Sequence, residues 1–263
     1  MIAFLDATGI FEDASPLTPS VPLSEKFLPT TATLFLTNRC NLRCVYCYAS
    51  GGERPPITMP REITRKAVTS ILRSTFHGGG EPTLAWNIMK RTVDYFRESA
   101  MIRGLTPLVH TATNGVIPQD NLNWIIENLT CANISLDGLP EIQNVQRPTA
   151  TGGPSFDAVK ATMCAMDAKK FSYGVRATVT KQSVTEMGKF TSYLADNFSC
   201  LQNRTVAKID YCQNCFCKYH CAGDCLTRAT DGVHLTNILD TARCRINQDL
   251  TQDQIIQNLT DVS

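Results

Sequence analysis

Cys40, Cys44 and Cys47 stand in the order C-x3-C-x2-C. Thiolates are soft ligands, and a structural zinc site would close with four of them or with histidines. This set supplies three, and the next histidine, His77, comes thirty residues later. Three thiolates suit a different object. They can hold three irons of a [4Fe–4S] cube and leave the fourth open to an exogenous ligand, as a catalytic metal keeps one position free. Disulfides are the poorer reading of a chain with 12 cysteines, because Met1 to Ser15 carries Asp6, Glu12 and Asp13 but no Lys or Arg and so is not expected to be a signal peptide. Cys131 and Cys164 are isolated and are expected to be buried small hydrophobes, with Cys200 less plainly so.

A second pattern follows the first in chain order. Phe76-His77-Gly78-Gly79-Gly80-Glu81-Pro82-Thr83 lies thirty residues after the cysteine loop, and the loop itself follows the β-rich run Thr33-Leu34-Phe35-Leu36-Thr37. Cys40-Asn41-Leu42-Arg43-Cys44-Val45-Tyr46-Cys47-Tyr48 resembles the cluster loop of radical S-adenosylmethionine (SAM) enzymes, and the later run resembles their GGE motif at the end of a second strand. The resemblance implies cofactor-binding residues. The backbone of Gly79 and Gly80, with the Glu81 carboxylate, would meet the SAM ammonium. Ser135 and Arg147 match positions that hold its carboxylate, a group the guanidinium fork fits well. Asn114 and Asp137 would hydrogen-bond ribose or backbone, although both also stand before glycines, Gly115 and Gly138, as turn residues do. Tyr46 would cover the adenine edge.

The remaining cysteines crowd the C-terminal fifth. Cys212-x2-Cys215-x5-Cys221-x3-Cys225, then Cys244, resembles the second half of the SPASM domain, which carries auxiliary [4Fe–4S] clusters. By that likeness Cys212, Cys215, Cys221 and Cys244 would hold an outer cluster and Cys225 would reach an inner one. A zinc ribbon uses the same residue types, and the upstream loop favours clusters over it. Cys217 is additional to the pattern, and His220 is expected to be outside the ligand set. The first half of the SPASM pattern is absent: only eleven residues, none of them Gly, separate Cys200 from Cys212. The sequence therefore reads as incomplete near 201–205, where a sixth strand should lie, and the step from helix to strand at 73–76 is similarly abrupt.

These residues need a scaffold that brings them together. Residues 1–30 are Pro- and Ser-rich and read as an extended lead-in. Helices are expected over Ile57–Arg73, Trp86–Arg97, Asn121–Leu129, Phe156–Lys169 and Val184–Asn197. Strands are expected over Thr33–Thr37, Thr75–His77, Leu108–Ala112, Ala132–Leu136 and Gly174–Thr180. Such β-α alternation predicts parallel strands under crossover helices. With the resemblance it becomes an α/β fold: a partial (β/α)6 TIM-type barrel over 31–200, followed by a small Cys-rich iron–sulfur cluster domain over 201–263. In such barrels chemistry sits at the strand C-termini, where Cys40, Gly79 to Glu81, Asn114, Ser135 and Asp137 all fall.

Lys+Arg 25 against Asp+Glu 24 gives no basic surplus for a nucleic-acid partner, and no apolar run is long enough to span a bilayer. The resemblance implies an oxidoreductase with SAM and a [4Fe–4S] cluster, one or two auxiliary clusters, and an external low-potential electron donor of flavodoxin or ferredoxin type. It would make a 5′-deoxyadenosyl radical and take hydrogen from a ribosomally made peptide, installing a thioether or carbon–carbon cross-link. Oxidation of a protein Cys or Ser to formylglycine, as in anaerobic sulfatase maturation, is the alternative, and a small-molecule dehydrogenase comes third. An oxygen-sensitive cube would place such an enzyme in an anaerobic cytoplasm. No general base can be named from the sequence.

Overall fold

The computed structural model describes residues 31–69, 71, 73–202 and 249–252. Cys212, Cys215, Cys217, His220, Cys221, Cys225 and Cys244 lie outside the described residues, as do residues 1–30 and 203–205.

Five strands form one parallel sheet in sequence order: β1 Thr31–Leu34, β2 Arg73–Phe76, β3 Leu108–Thr113, β4 Cys131–Ser135 and β5 Tyr173–Arg176. Helices α1 Arg61–Val68, α2 Trp86–Ile102, α3 Gln119–Asn128, α4 Pro140–Gln146, α5 Phe156–Ala168, α6 Met187–Asn197 and α7 Ser199–Gln202 fill the crossovers and follow β5. This is the α/β arrangement of a partial barrel. Register explains which residues face the helices. Leu34, Phe76, Thr111, Ala132 and Tyr173 form one row across all five strands. All five are buried, and four of them belong to the apolar core beneath the helices. The alternate residues occupy the opposite face, which carries Thr33, Thr75, His110, Asn133, Ser135 and Arg176. A parallel sheet is normally apolar on both faces. The polar lining of this second face marks it as the one that carries chemistry.

Several expected boundaries move for local reasons. The first helix begins at Arg61, not Ile57, because the preceding segment pairs with the chain beyond β1: Met59 N–H donates to the Leu36 carbonyl at 2.8 Å and Thr37 bridges Thr58. It ends at Val68, and the abrupt stretch 73–76 is a central strand paired on both sides. Strand β5 stops at Arg176, not Thr180, because the Thr178 N–H turns away from the ladder to donate to Asp137 Oδ1 at 2.8 Å. Helix α4, started by Pro140 at its first turn, is not expected from periodicity. Cys131 is buried as expected, but Cys164 lies on the exposed side of α5. Cys200 is half-buried, and its N–H donates to Asp167 Oδ1 at 2.9 Å.

His110 sits on the inner face of β3, 2% exposed. Burial, with the Arg73 charge adding, pushes its ring down to about 4. The unfolded chain therefore binds a proton that the folded chain refuses, so stability is present above the ordinary histidine value and is lost as pH falls toward 4. Urea unfolding is expected to show about 2 kcal/mol less stability from this group at pH 5 than at pH 7, and His110→Gln should flatten that slope.

Candidate active site

The three cysteines expected to hold a cube follow β1 in a loop fastened from two sides. Residues 41–45 run beside 146–150: Arg43 N–H donates to the Pro148 carbonyl at 2.8 Å, Val45 N–H to Gln146 at 3.0 Å, and Ala150 N–H to Asn41 at 2.9 Å. From inside, Arg43 Nη1 donates to the carbonyls of Cys40 (3.0 Å) and Leu42 (2.8 Å), and Nη2 to Gly52 (3.1 Å). One side chain thus satisfies carbonyls that a tight loop would leave unpaired.

Each sulfur has an N–H beside it. Gly51 N–H donates to Cys47 Sγ at 3.3 Å, Asn114 Nδ2 to Cys40 Sγ at 3.8 Å, and Arg147 Nη1 to Cys44 Sγ at 3.8 Å. As free thiols these groups need no such donors; as thiolates they do. Burial raises Cys40, and it pushes Cys44 up to about 11 against the lowering pull of Arg147. Bound metal would have to supply what burial removes, since ligation displaces the thiol proton. Among the described residues no group of three or more His, Cys, Asp and Glu side chains converges on one ion. A cube asks for one sulfur per iron, and the three sulfurs share one loop and one cavity.

The Gly-Gly-Glu segment is pressed against this loop. Glu81 N–H donates to the Arg39 carbonyl at 2.7 Å. A Cβ on Gly80 would lie 2.1 Å from that same oxygen, and Gly79 has φ +100°. No other residue type fits both positions without moving the backbone. Glu81 itself is 2% exposed. Its Oε1 accepts from Thr83 N–H (3.2 Å), Thr83 Oγ1 (2.8 Å) and Thr113 Oγ1 (2.8 Å), and its Oε2 from Asn114 N–H (2.8 Å). Burial raises its carboxyl against these four donors. Glu81 therefore welds the end of β2 to the end of β3, with Oε2 the less occupied oxygen.

Arg147 and Asp137 form a second hub. Asp137 is wholly buried, and Arg147 Nε lies 2.9 Å from its Oδ2 as an ion pair not aligned as a hydrogen bond. Oδ2 also accepts from the Tyr46 hydroxyl and from Gln146 Nε2 (3.2 Å), and Oδ1 from Thr178 N–H. The Arg147 guanidinium lies 5.3 Å from the centre of the Tyr46 ring. Asp137 thus stands behind the cavity wall, holding Tyr46 and Arg147 from beneath.

These parts surround a cavity of about 360 Å³. Cys40, Cys44, Cys47, Tyr46, Gly79, Gly80, Glu81, Asn114, Ser135 and Arg147 all line it, and Asp137 does not. His77, Asn133, Arg176 and Thr178 also line it, and sequence reasoning assigned them no role. Asn133 and Arg176 carry a signal in hindsight: both are polar residues at inward positions of strands.

Asn114 is the cleanest probe of the donor set, because its Nδ2 touches both Cys40 Sγ and Asn41 Oδ1 (2.7 Å). Donors to sulfur favour the more negative, reduced cluster. For a bond worth about 1 kcal/mol, Asn114→Ala should lower the one-electron midpoint potential by about 40 mV, read by anaerobic redox titration.

A model of the Radical SAM superfamily matches residues 34–180, from the last residue of β1 to beyond β5. The chain is 30% identical over 128 residues to the sporulation killing factor maturation protein SkfB of Bacillus subtilis, covering 44% of this chain and 28% of that protein. It is 25% identical over 176 residues to the cysteine-type anaerobic sulfatase-maturating enzyme of Clostridium perfringens, covering 62% and 48%. Among solved structures, native anSMEcpe with bound AdoMet and the Cp18Cys peptide superposes with a TM-score of 0.56 at 23% identity, covering 64% of this chain and 48% of that one. That likeness is one of fold. The chain spans between about a quarter and somewhat over half the length of the curated relatives it matches.

Proposed function

Because this chain belongs to the radical SAM superfamily, whose members are enzymes that use SAM and a [4Fe–4S] cluster for radical reactions, we propose that it is a maturase of ribosomally made peptides. The observation that carries this reading is the cysteine trio, each sulfur beside an N–H, at the rim of a cavity that continues down the polar face of the sheet. When bound, the cluster and SAM supply a 5′-deoxyadenosyl radical that takes hydrogen from an unactivated carbon.

The chain's own residues hold and orient. Cys40, Cys44 and Cys47 hold the cluster, with Arg43 keeping their loop closed. The Gly79–Gly80 backbone and Glu81 Oε2 present acceptors suited to an ammonium. Arg147 and Ser135 present donors suited to a carboxylate, and Asp137 fixes the Arg147 charge in place. Tyr46, held by Asp137, lines the cavity and would cover the adenine edge. Residues 201–263, with Cys212, Cys215, Cys221, Cys225 and Cys244, are assigned to hold one or two auxiliary clusters, which would give the substrate's second electron an exit. A flavodoxin- or ferredoxin-type protein would deliver the first electron, in an oxygen-poor cytoplasm. Similarity to SkfB supports a peptide as substrate. Similarity to the sulfatase-maturating enzyme supports the second reading, oxidation of a protein Cys or Ser to formylglycine.

The test is anaerobic reconstitution with SAM, a chemical reductant and a peptide encoded beside the gene. Formation of 5′-deoxyadenosine with loss of two hydrogens from the peptide is the expected result. Formylglycine in a Cys- or Ser-bearing sulfatase peptide, with no change in the neighbouring peptide, would favour the second reading, and absence of SAM cleavage would remove both.

A further inference from the structure

At the cavity wall, His77 and Arg176 meet. Arg176 Nη1 lies 3.0 Å from His77 Nε2. Two strands, β3 and β4, separate β2 from β5 in the sheet, so residues at their ends touch only because the sheet curls round on itself. Burial, with the Arg176 charge adding, holds the His77 ring below the ordinary histidine range. The ring is therefore neutral near pH 7. Facing a permanent donor, its Nε2 accepts and its proton sits on Nδ1. The Phe35 ring packs edge-to-face with the imidazole, their centroids 5.9 Å apart.

This differs from the other cavity arginine. Arg147 has Asp137 as counter-ion, whereas neither ion pair among the described residues involves Arg176. A neutral imidazole fixes a guanidinium without cancelling its charge. It also occupies Nη1 and leaves the Nε–Nη2 edge, the geometry that receives a carboxylate with two parallel hydrogen bonds. Thr178 Oγ1 lies 3.5 Å from Arg147 Nη2, and Arg147 touches Cys44. Arg176 is the last residue of β5, two residues before Thr178 and level with Ser135 by register.

We propose that Arg176, oriented by His77, receives a carboxylate of the substrate at the cavity wall: an acidic side chain or the C-terminus of the peptide. This rests on the peptide-maturase reading for the identity of the ligand. Arg176 is the recognition group and His77 a positioning residue. The SAM carboxylate is the other source of the same chemistry, and the experiment separates the two.

The full chain, reconstituted anaerobically, is titrated with N-acetylglutamate amide and with its neutral isostere N-acetylglutamine amide, each with and without SAM. The acidic probe is expected to bind at least about tenfold more tightly, as a charged rather than a neutral hydrogen-bond partner should. Arg176→Gln should abolish that preference while SAM affinity stays at its wild-type value. His77→Gln, which keeps an acceptor for Nη1, should retain the preference, and His77→Leu should weaken it. Equal binding of the two probes to the wild-type chain overturns the proposal without any variant. A fall in SAM affinity in Arg176→Gln also overturns it and assigns Arg176 to the cofactor. Should the chain fail to bind SAM at all, the maturase reading falls, while the probe preference measured without SAM still decides the role of Arg176.

Discussion

Cys44→Ala is expected to remove about four irons per chain and to abolish SAM cleavage. Cys44 is half-buried and lies between the Arg147 guanidinium and the rest of the cluster loop. Its carbonyl accepts the Cys47 N–H at 3.0 Å, so the backbone of the loop survives loss of the sulfur. Arg43 still closes the loop through Cys40, Leu42 and Gly52. The variant should therefore fold and expose a chemical loss, not a structural one. Two remaining thiolates leave a second iron without a protein ligand, and such a cube is not retained. Iron content, visible absorbance and 5′-deoxyadenosine yield should fall together. Where the C-terminal cysteines carry auxiliary clusters, iron should fall by one cube and not to zero. A variant that keeps all its iron and its turnover removes the assignment of this loop as the site of chemistry.

Asp137→Ala should produce the largest loss of stability, about 3–5 kcal/mol, because deleting one partner of a buried pair leaves the other charge uncompensated. Arg147 is 9% exposed, so little water can replace the carboxylate. The Tyr46 hydroxyl, Gln146 Nε2 and the Thr178 N–H lose their acceptor at the same time. Asp137→Asn keeps the shape and one acceptor and should lose less, about 1–3 kcal/mol. Urea unfolding with an unchanged m-value is the measurement. A loss below about 1 kcal/mol for Asp137→Ala would mean that Arg147 finds other partners and that the hub does not hold the cavity wall. Loss of SAM affinity in Asp137→Asn beyond its loss of stability would show that the carboxylate also orients Arg147 for its ligand.

That the three-cysteine loop and the Gly-Gly-Glu segment meet at one cavity was legible in the sequence because both are written in short spacings. Cys40, Cys44 and Cys47 need only one loop to come together, and Gly79 and Gly80 are dictated by one close approach to Arg39. The β-α order was legible too, since apolar pairs such as Leu34 and Leu36, or Ala132 and Ile134, recur with the strand period. Asp137 stands behind the cavity lining for a physical reason: its position at a strand end is visible in the sequence, but the direction of its side chain depends on Arg147, Gln146 and Thr178. The N–H donors on Cys40 and Cys44 were equally hidden, because Asn114 and Arg147 arrive from 74 and 103 residues away.

Residue type and local spacing by themselves determined that this chain carries a three-thiolate loop, a glycine-rich partner segment and alternating strands and helices. Only the tertiary structure decided which side of the sheet is polar and that His77 and Arg176, 99 residues apart, touch across it. It also decided that Arg147 has a counter-ion while Arg176 has a neutral partner. Spacing reports what a few bonds can bring together. The curl of a sheet is a sum over every strand pair, and no short stretch of sequence contains it.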